Sequence, residues 1–125
     1  MTKKILIVDD ESGVNYTVKH GLEALDKEYQ VTCVESGEKC IELLEQNQLP
    51  DLILLDVMMP GMTGWEVQKK IKENKNWRQI PVVFLTARTD YVAKRAGEFL
   101  GDDYIGKPFK IPELKQRIDK VLQKK

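Results

Sequence analysis

The sequence predicts an α/β fold, a doubly wound arrangement of five parallel strands covered by helices on both faces. Three observations lead there. Short apolar runs alternate with longer segments of helical periodicity along the chain. The third run, residues 52–55 (LILL), is apolar without a break, as a strand buried on both faces is. The length, 125 residues, suits one compact domain with a real core.

The elements follow in order. The first strand centres on residues 5–8 in KILIVDD and ends in Asp9 and Asp10. Val14, Val18, Leu22 and Leu25 form a helical stripe over about residues 13 to 27. YQVTCVES alternates in part and reads as a less buried second strand. Ser36 is placed to cap a second helix carrying Cys40, Ile41 and Leu44. The third strand stops at Asp56, and the chain turns through Pro60 and Gly61. Gly64 precedes a third helix with Trp65, Val67, Lys70 and Ile71, whose buried face the pattern leaves open. The fourth strand lies in IPVVFLTAR and ends at Thr86. Val92, Ala93, Ala96 and Phe99 give a thin stripe for a fourth helix over 89–99. The fifth strand, in DDYIGKPF, ends near Lys107. Pro112 suits the first turn of a fifth helix, with Leu114, Ile118, Val121 and Leu122 on its buried side.

Composition narrows the function classes. Lys plus Arg number 20, as do Asp plus Glu, which argues against a strong overall nucleic-acid footprint. Cys33, Cys40 and the one histidine, His20, lack the spacing of a zinc site, so the cysteines read as reduced thiols in the core or half-buried. No apolar run approaches the roughly 20 residues of a membrane span. The N-terminus meets acid too early for a signal peptide, so a cytoplasmic location is expected. The chain reads as a single domain, 1–125, with no linker and no effector domain.

In a doubly wound sheet, ligands sit outside the carboxyl ends of the strands, at the point where the strand order reverses. In the order 2-1-3-4-5, strands one and three are neighbours there, and Asp9, Asp10 and Asp56 crowd together. Two like charges about 4 Å apart repel by roughly 4 kcal/mol at an effective dielectric near 20. Three carboxylates therefore need a cation or must give up ionisation. An all-oxygen acidic site suits a hard ion such as Mg²⁺, which keeps waters for a phosphate. With the Thr86 hydroxyl and the Lys107 ammonium, the rim holds what phosphoryl transfer requires.

Taken singly, these residues have plainer readings. Asp9 and Asp10 could cap the first helix, Thr86 could be a strand former, Tyr104 a half-buried aromatic and Lys107 a solvated charge. Met58, Met59 and Met62 read as adaptable packing around a loop. Trp65 and Trp77 read as helix-face packing and a loop anchor. GDDYIGKP, residues 101–108, nearly matches a phosphate-binding loop. Pro108, however, replaces the required hydroxyl and lacks an amide, and the stretch contains the last strand, so nucleotide binding there is rejected.

Asp9-Asp10, Asp56 followed by VMMPGMTG, Thr86-Ala87 and DDYIGKPF, in that order, resemble the receiver domain of two-component response regulators over essentially the whole chain, closest in kind to single-domain chemotaxis regulators. The resemblance implies a flavodoxin-like (βα)5 fold and the following roles. Asp56 would accept a phosphoryl group from the phosphohistidine of a histidine kinase or phosphotransfer protein. Asp10, Asp56 and the Met58 carbonyl would hold Mg²⁺, or Mn²⁺ in its place, with Asp9 acting through a water. Lys107 would pair with Asp56 or its phosphoryl group. Thr86 would bond a phosphoryl oxygen and let Tyr104 turn inward, and the Lys107–Pro108 bond would be cis. Met58 and Arg88 fill positions that affect phosphoryl lifetime, and their bulk predicts slow self-hydrolysis. Thr63 stands where the family often has an acid, with little effect expected, and Gly101 replaces a frequent Ala.

Such a chain would be a signalling switch rather than an enzyme. It would reshape the face built from the fourth helix, fifth strand and fifth helix for an output protein, or pass its phosphoryl group on, without binding nucleic acid or inserting into a membrane. The alternative is a haloacid-dehalogenase-type aspartyl-phosphate hydrolase. That signature needs a second Asp two residues after the nucleophile, where this chain has Met58, and its acidic pair comes late rather than at residues 9 and 10. A flavin or dinucleotide module lacks its Gly-rich turn after the first strand.

Overall fold

The computed structural model describes residues 1–87 and 102–124. In chain order these form β1 (Lys3–Val8), α1 (Ser12–Leu25), β2 (Tyr29–Val34), α2 (Gly37–Glu45), β3 (Leu52–Asp56), α3 (Gly64–Glu73), β4 (Val82–Thr86), β5 (Asp103–Gly106) and a final helix, α4 (Ile111–Gln123). The helix expected over residues 89–99 lies outside the described residues, as do Arg88 and Gly101. The sheet has the order β2-β1-β3-β4-β5. Every neighbouring pair is parallel. The expected doubly wound sheet is therefore present.

Strand periodicity builds the two layers. Along the central strands, Ile5, Ile7, Leu52, Leu54, Val83 and Leu85 meet Val18 and Leu22 of α1 and Leu114 and Ile118 of α4. Their alternates, Leu6, Val8, Ile53, Leu55, Val82 and Phe84, meet Cys40 and Leu44 of α2 and Val67 and Ile71 of α3. Each such side chain contributes about 1.5–3 kcal/mol by leaving water. All five residues of β3 are buried, Asp56 included. The edge strand β2 is less buried, as its alternation predicts.

The helix ends refine the reading. Glu11, not Asp9 or Asp10, is the N-cap of α1; Asp9 Oδ1 instead accepts the Glu11 N–H at 2.9 Å. The helix stops at Leu25, which is 50% exposed, so the last residue of the predicted stripe is not core. Ser36 caps α2 as expected, accepting the Lys39 N–H at 3.1 Å. Thr63 is not an indifferent loop position. Its hydroxyl accepts the Glu66 N–H while Glu66 Oε1 accepts the Thr63 N–H, a reciprocal capping box that starts α3. The buried face of α3 is Gly64, Val67, Gln68 and Ile71, and Lys70 faces outward. Pro112 lies in the first turn of α4.

Candidate functional site

The carboxyl ends of β1 and β3 lie side by side, because Val8 pairs with Leu55. That register delivers Asp9 and Asp10 beside Asp56. One carboxylate oxygen from each of the three lies within 4.8 Å of the others. Asp9 and Asp56 are buried, at 0% and 4% exposure, whereas Asp10 is open to solvent.

The loop after β3 is held against the strand it leaves. Gly61 has φ +74°, a left-handed turn that favours glycine. Gly64 N–H donates to the Val57 carbonyl at 2.9 Å. A Cβ on Gly64 would stand 2.4 Å from the Asp56 carbonyl oxygen, so only glycine fits this approach. Of the three loop methionines, Met59 is buried and Met62 packs partly buried against the second core cluster. Met58 departs from the packing expectation: it is 56% exposed, because the chain turns outward directly after Asp56 and Val57. Trp65 packs on Phe84 with ring centroids 4.8 Å apart, and Trp77 is partly buried on the same cluster, as expected of packing residues.

Lys107, just past β5, supplies the positive charge. The Lys107–Pro108 bond is cis. Lys107 Nζ lies 2.6 Å from Asp9 Oδ2, 3.5 Å from Glu11 Oε1 and 3.6 Å from Asp56 Oδ1. Its short bond is thus to Asp9, not to Asp56. Burial works against the Lys107 charge, but the bond to Asp9 and the surrounding acids outweigh it and hold its pKa above the ordinary lysine value. Burial and then the Asp9 charge push Asp56 up to about 7, Asp10 adding to this and Lys107 opposing it. Three carboxylates against one lysine leave a negative excess of oxygen donors, and a hard divalent cation fits that donor set.

Glu11 joins the site without having been singled out from sequence. An exposed acid at a helix start gives no signal until Lys107 is seen to reach it. Tyr104 sits in β5 opposite Phe84, half-buried against the second core cluster. Thr86 closes β4 with its backbone opposite Gly106; its side chain, like Arg88, is outside what is described.

A doubly wound parallel sheet with an acidic cluster and a lysine at its carboxyl rim defines a class of proteins built to hold a hard cation at the strand ends. Residues 5–119 match the family described as "Response regulator receiver domain", and the chain belongs to that family. It is similar to the phosphate regulon transcriptional regulatory protein PhoB of Rhizobium meliloti (strain 1021), 34% identical over 99% of this chain and 54% of that protein. It is also similar to the alkaline phosphatase synthesis transcriptional regulatory protein PhoP of Bacillus subtilis (strain 168), 38% identical over 99% of this chain and 50% of that one. The chain spans only about half the length of these two relatives. Among solved structures, chemotaxis protein CheY4 of Vibrio cholerae superposes with a TM-score of 0.87 at 28% identity, over 97% of this chain and 99% of that one. The signal receiver domain of a histidine kinase from Syntrophus aciditrophicus gives 0.86 at 33%, over 98% and 91%. Receiver domains are phosphorylation-activated switches of two-component systems, and nothing in these matches favours the hydrolase alternative. Among the described residues, no helix is long and apolar enough to cross a membrane.

Proposed function

We propose that Asp56 is the phosphoacceptor of this receiver, taking its phosphoryl group from a phosphohistidine on a kinase or phosphotransfer protein. The observation that carries the reading is the convergence of Asp9, Asp10 and Asp56 on one rim, with Lys107 in reach of Asp9 and Asp56 together. An Asp56 oxygen attacks phosphorus; the new P–O bond forms as the P–N bond breaks, and the imidazole leaves with the electron pair and takes a proton. Lys107 receives charge developing on the transferring oxygens. In this reading Thr86 donates its hydroxyl to a phosphoryl oxygen and Tyr104 turns inward behind it. Asp10, Asp56 and the Met58 carbonyl would hold Mg²⁺ or Mn²⁺, with Asp9 joined through a water. The bound cation would supply charge neutralisation to the phosphoryl oxygens.

The domain is then a phosphoacceptor with self-phosphorylation and self-dephosphorylation chemistry, not an enzyme that turns over external substrates. Its output is a rearranged face made of β5, α4 and the predicted helix preceding β5, read by another protein or bypassed by onward transfer. The chain acts as one receiver domain, without direct nucleic-acid binding or membrane insertion. A cytoplasmic site of action suits its free thiols, Cys33 and Cys40. Met58 and Arg88 set the phosphoryl lifetime, with slow hydrolysis.

The test is labelling by acetyl phosphate with Mg²⁺, and by a panel of phosphorylated histidine kinases. Wild type gains one phosphoryl group and Asp56→Asn gains none at that position. Failure of wild type to label under any of these conditions overturns the assignment. The label should outlast seconds at neutral pH; loss within seconds removes the lifetime role given to Met58 and Arg88. Multiple-turnover phosphate release from small phosphoesters would return the hydrolase reading.

A further inference from the structure

The loop between β3 and α3, residues 57–63, carries the Met58 carbonyl and is stiff along most of its length. Val57 and Met59 are buried. Pro60 has its φ fixed by its ring, and a residue before proline is held to extended conformations, which restrains Met59. The far end is pinned by the capping box of Thr63 and Glu66. Gly61 is the soft joint. It has no side chain to restrict it, and holding it at φ +74° costs more conformational entropy than fixing any other residue type.

The start of α2 is seated on that joint. A Cβ on Gly37 would stand 2.6 Å from Val67 Cγ2 and 3.1 Å from Met62 Cβ, so this helix end lies directly against α3 and the loop. One residue on, Glu38 Oε2 accepts the Met62 N–H at 3.2 Å. The same oxygen lies 3.1 Å from where a Gly61 side chain would begin. Glu38 thus covers the joint and bonds the amide that follows it. Among the described residues, it is the one side chain outside the loop and α3 that hydrogen-bonds the loop backbone. An acid in the first turn of a helix is stabilising by its charge alone, but that does not require its oxygen to face a neighbouring loop.

We propose, on the reading of Asp10, Asp56 and the Met58 carbonyl as a cation site, that Glu38 is a positioning residue for that site. Its bond to Met62 locks Gly61 and so keeps the Met58 carbonyl in place for the ion. Its part is to remove freedom that the loop would otherwise lose on binding, which raises affinity without a further ligand.

The experiment follows wild type, Glu38→Ala, Glu38→Gln and, as a control on the same helix, Glu42→Ala, by NMR. In metal-free protein the Met62 amide should exchange about fivefold faster in Glu38→Ala, the loss expected of one hydrogen bond. The Leu54 amide, in the buried strand β3, should change little. Titration with Mg²⁺, read from amide shifts, should give a Kd about threefold to fivefold weaker in Glu38→Ala. Glu38→Gln keeps the acceptor and drops the charge, and it should stay near wild type in both readings, as should Glu42→Ala at its exposed position. Labelling by acetyl phosphate should slow in Glu38→Ala at limiting Mg²⁺ and match wild type at saturation. Equal acceleration at Met62 and Leu54, or wild-type Mg²⁺ affinity in Glu38→Ala, overturns the proposal. So does a loss in Glu38→Gln as large as in Glu38→Ala, since charge and not the bond would then be at work. Wild type that binds no Mg²⁺ overturns the cation-site reading itself, and the proposal with it.

Discussion

Gly64 and Thr63 are neighbours that do different jobs. A side chain at 64 would strike the backbone of Asp56, the proposed phosphoacceptor, at 2.4 Å from its carbonyl oxygen. Gly64→Ala should therefore cost about 1–3 kcal/mol, the range for overpacking, and weaken divalent-cation binding by displacing Asp56; denaturant unfolding and a Mg²⁺ titration followed by tryptophan fluorescence check both. Thr63→Ala should cost about 1 kcal/mol, the usual loss for an N-cap, and leave acetyl phosphate labelling intact. The Thr63-x-x-Glu66 pattern was legible as a capping box, yet comparison with an acid frequent in the family hid it. Lys107 reaches Asp56 as the resemblance implied, but that its short bond goes to Asp9 was not legible, because which of several converging acids takes it depends on side-chain reach after folding, which no spacing encodes.

At the scale of elements, α4 is fastened to the sheet by charge as well as by its apolar face. Arg117 donates through two nitrogens to Asp103 at the start of β5, at 2.8 and 2.9 Å. Asp119 accepts from Lys115 at 2.7 Å and from the buried Tyr29 hydroxyl, with Lys3 at 3.4 Å. Burial opposes ionisation of both acids, but their hydrogen-bonded partners outweigh it and hold both carboxyls below the ordinary aspartate value of 3.8. A lowered folded pKa means that the stabilisation is complete above the unfolded value and is lost as pH falls through the folded one. Thermal unfolding should therefore show stability falling below about pH 4, and Asp103→Asn with Asp119→Asn should flatten that acid limb while lowering stability at pH 7. The apolar stripes of α1 and α4 announced these helices in the sequence, since each buries one clear face. The face of α3 stayed open because Gln68 is buried although polar, whereas Lys70 interrupts the stripe and stays outside.

For the whole molecule, the alternation of runs and stripes was enough to read the sheet and the convergence of acids at its rim, because a buried parallel strand admits few patterns. The bonds of Lys19 and Glu23 to the Val31 backbone of β2 were not readable, since they depend on which residues of an edge strand face outward. Crowded acids at the rim also make global stability depend on cations. Without divalent ions, Asp56→Asn should melt higher than wild type, because it removes one of three mutually repelling carboxylates. Millimolar Mg²⁺ should raise the melting temperature of wild type by mass action and that of Asp56→Asn much less; equal shifts in both proteins would place the cation elsewhere. The position of Lys107 has a last consequence. Its amine bonds Asp9 more closely than Asp56, so the proposed phosphoacceptor oxygen would meet an arriving donor without a short bond to its counter-ion. Phosphorylation of that oxygen, as proposed, would add negative charge there and draw the amine from Asp9 toward it. The tie between Asp9, after the first strand, and Lys107, beyond the last, would slacken as that new contact forms, loosening two distant stretches of chain from one another.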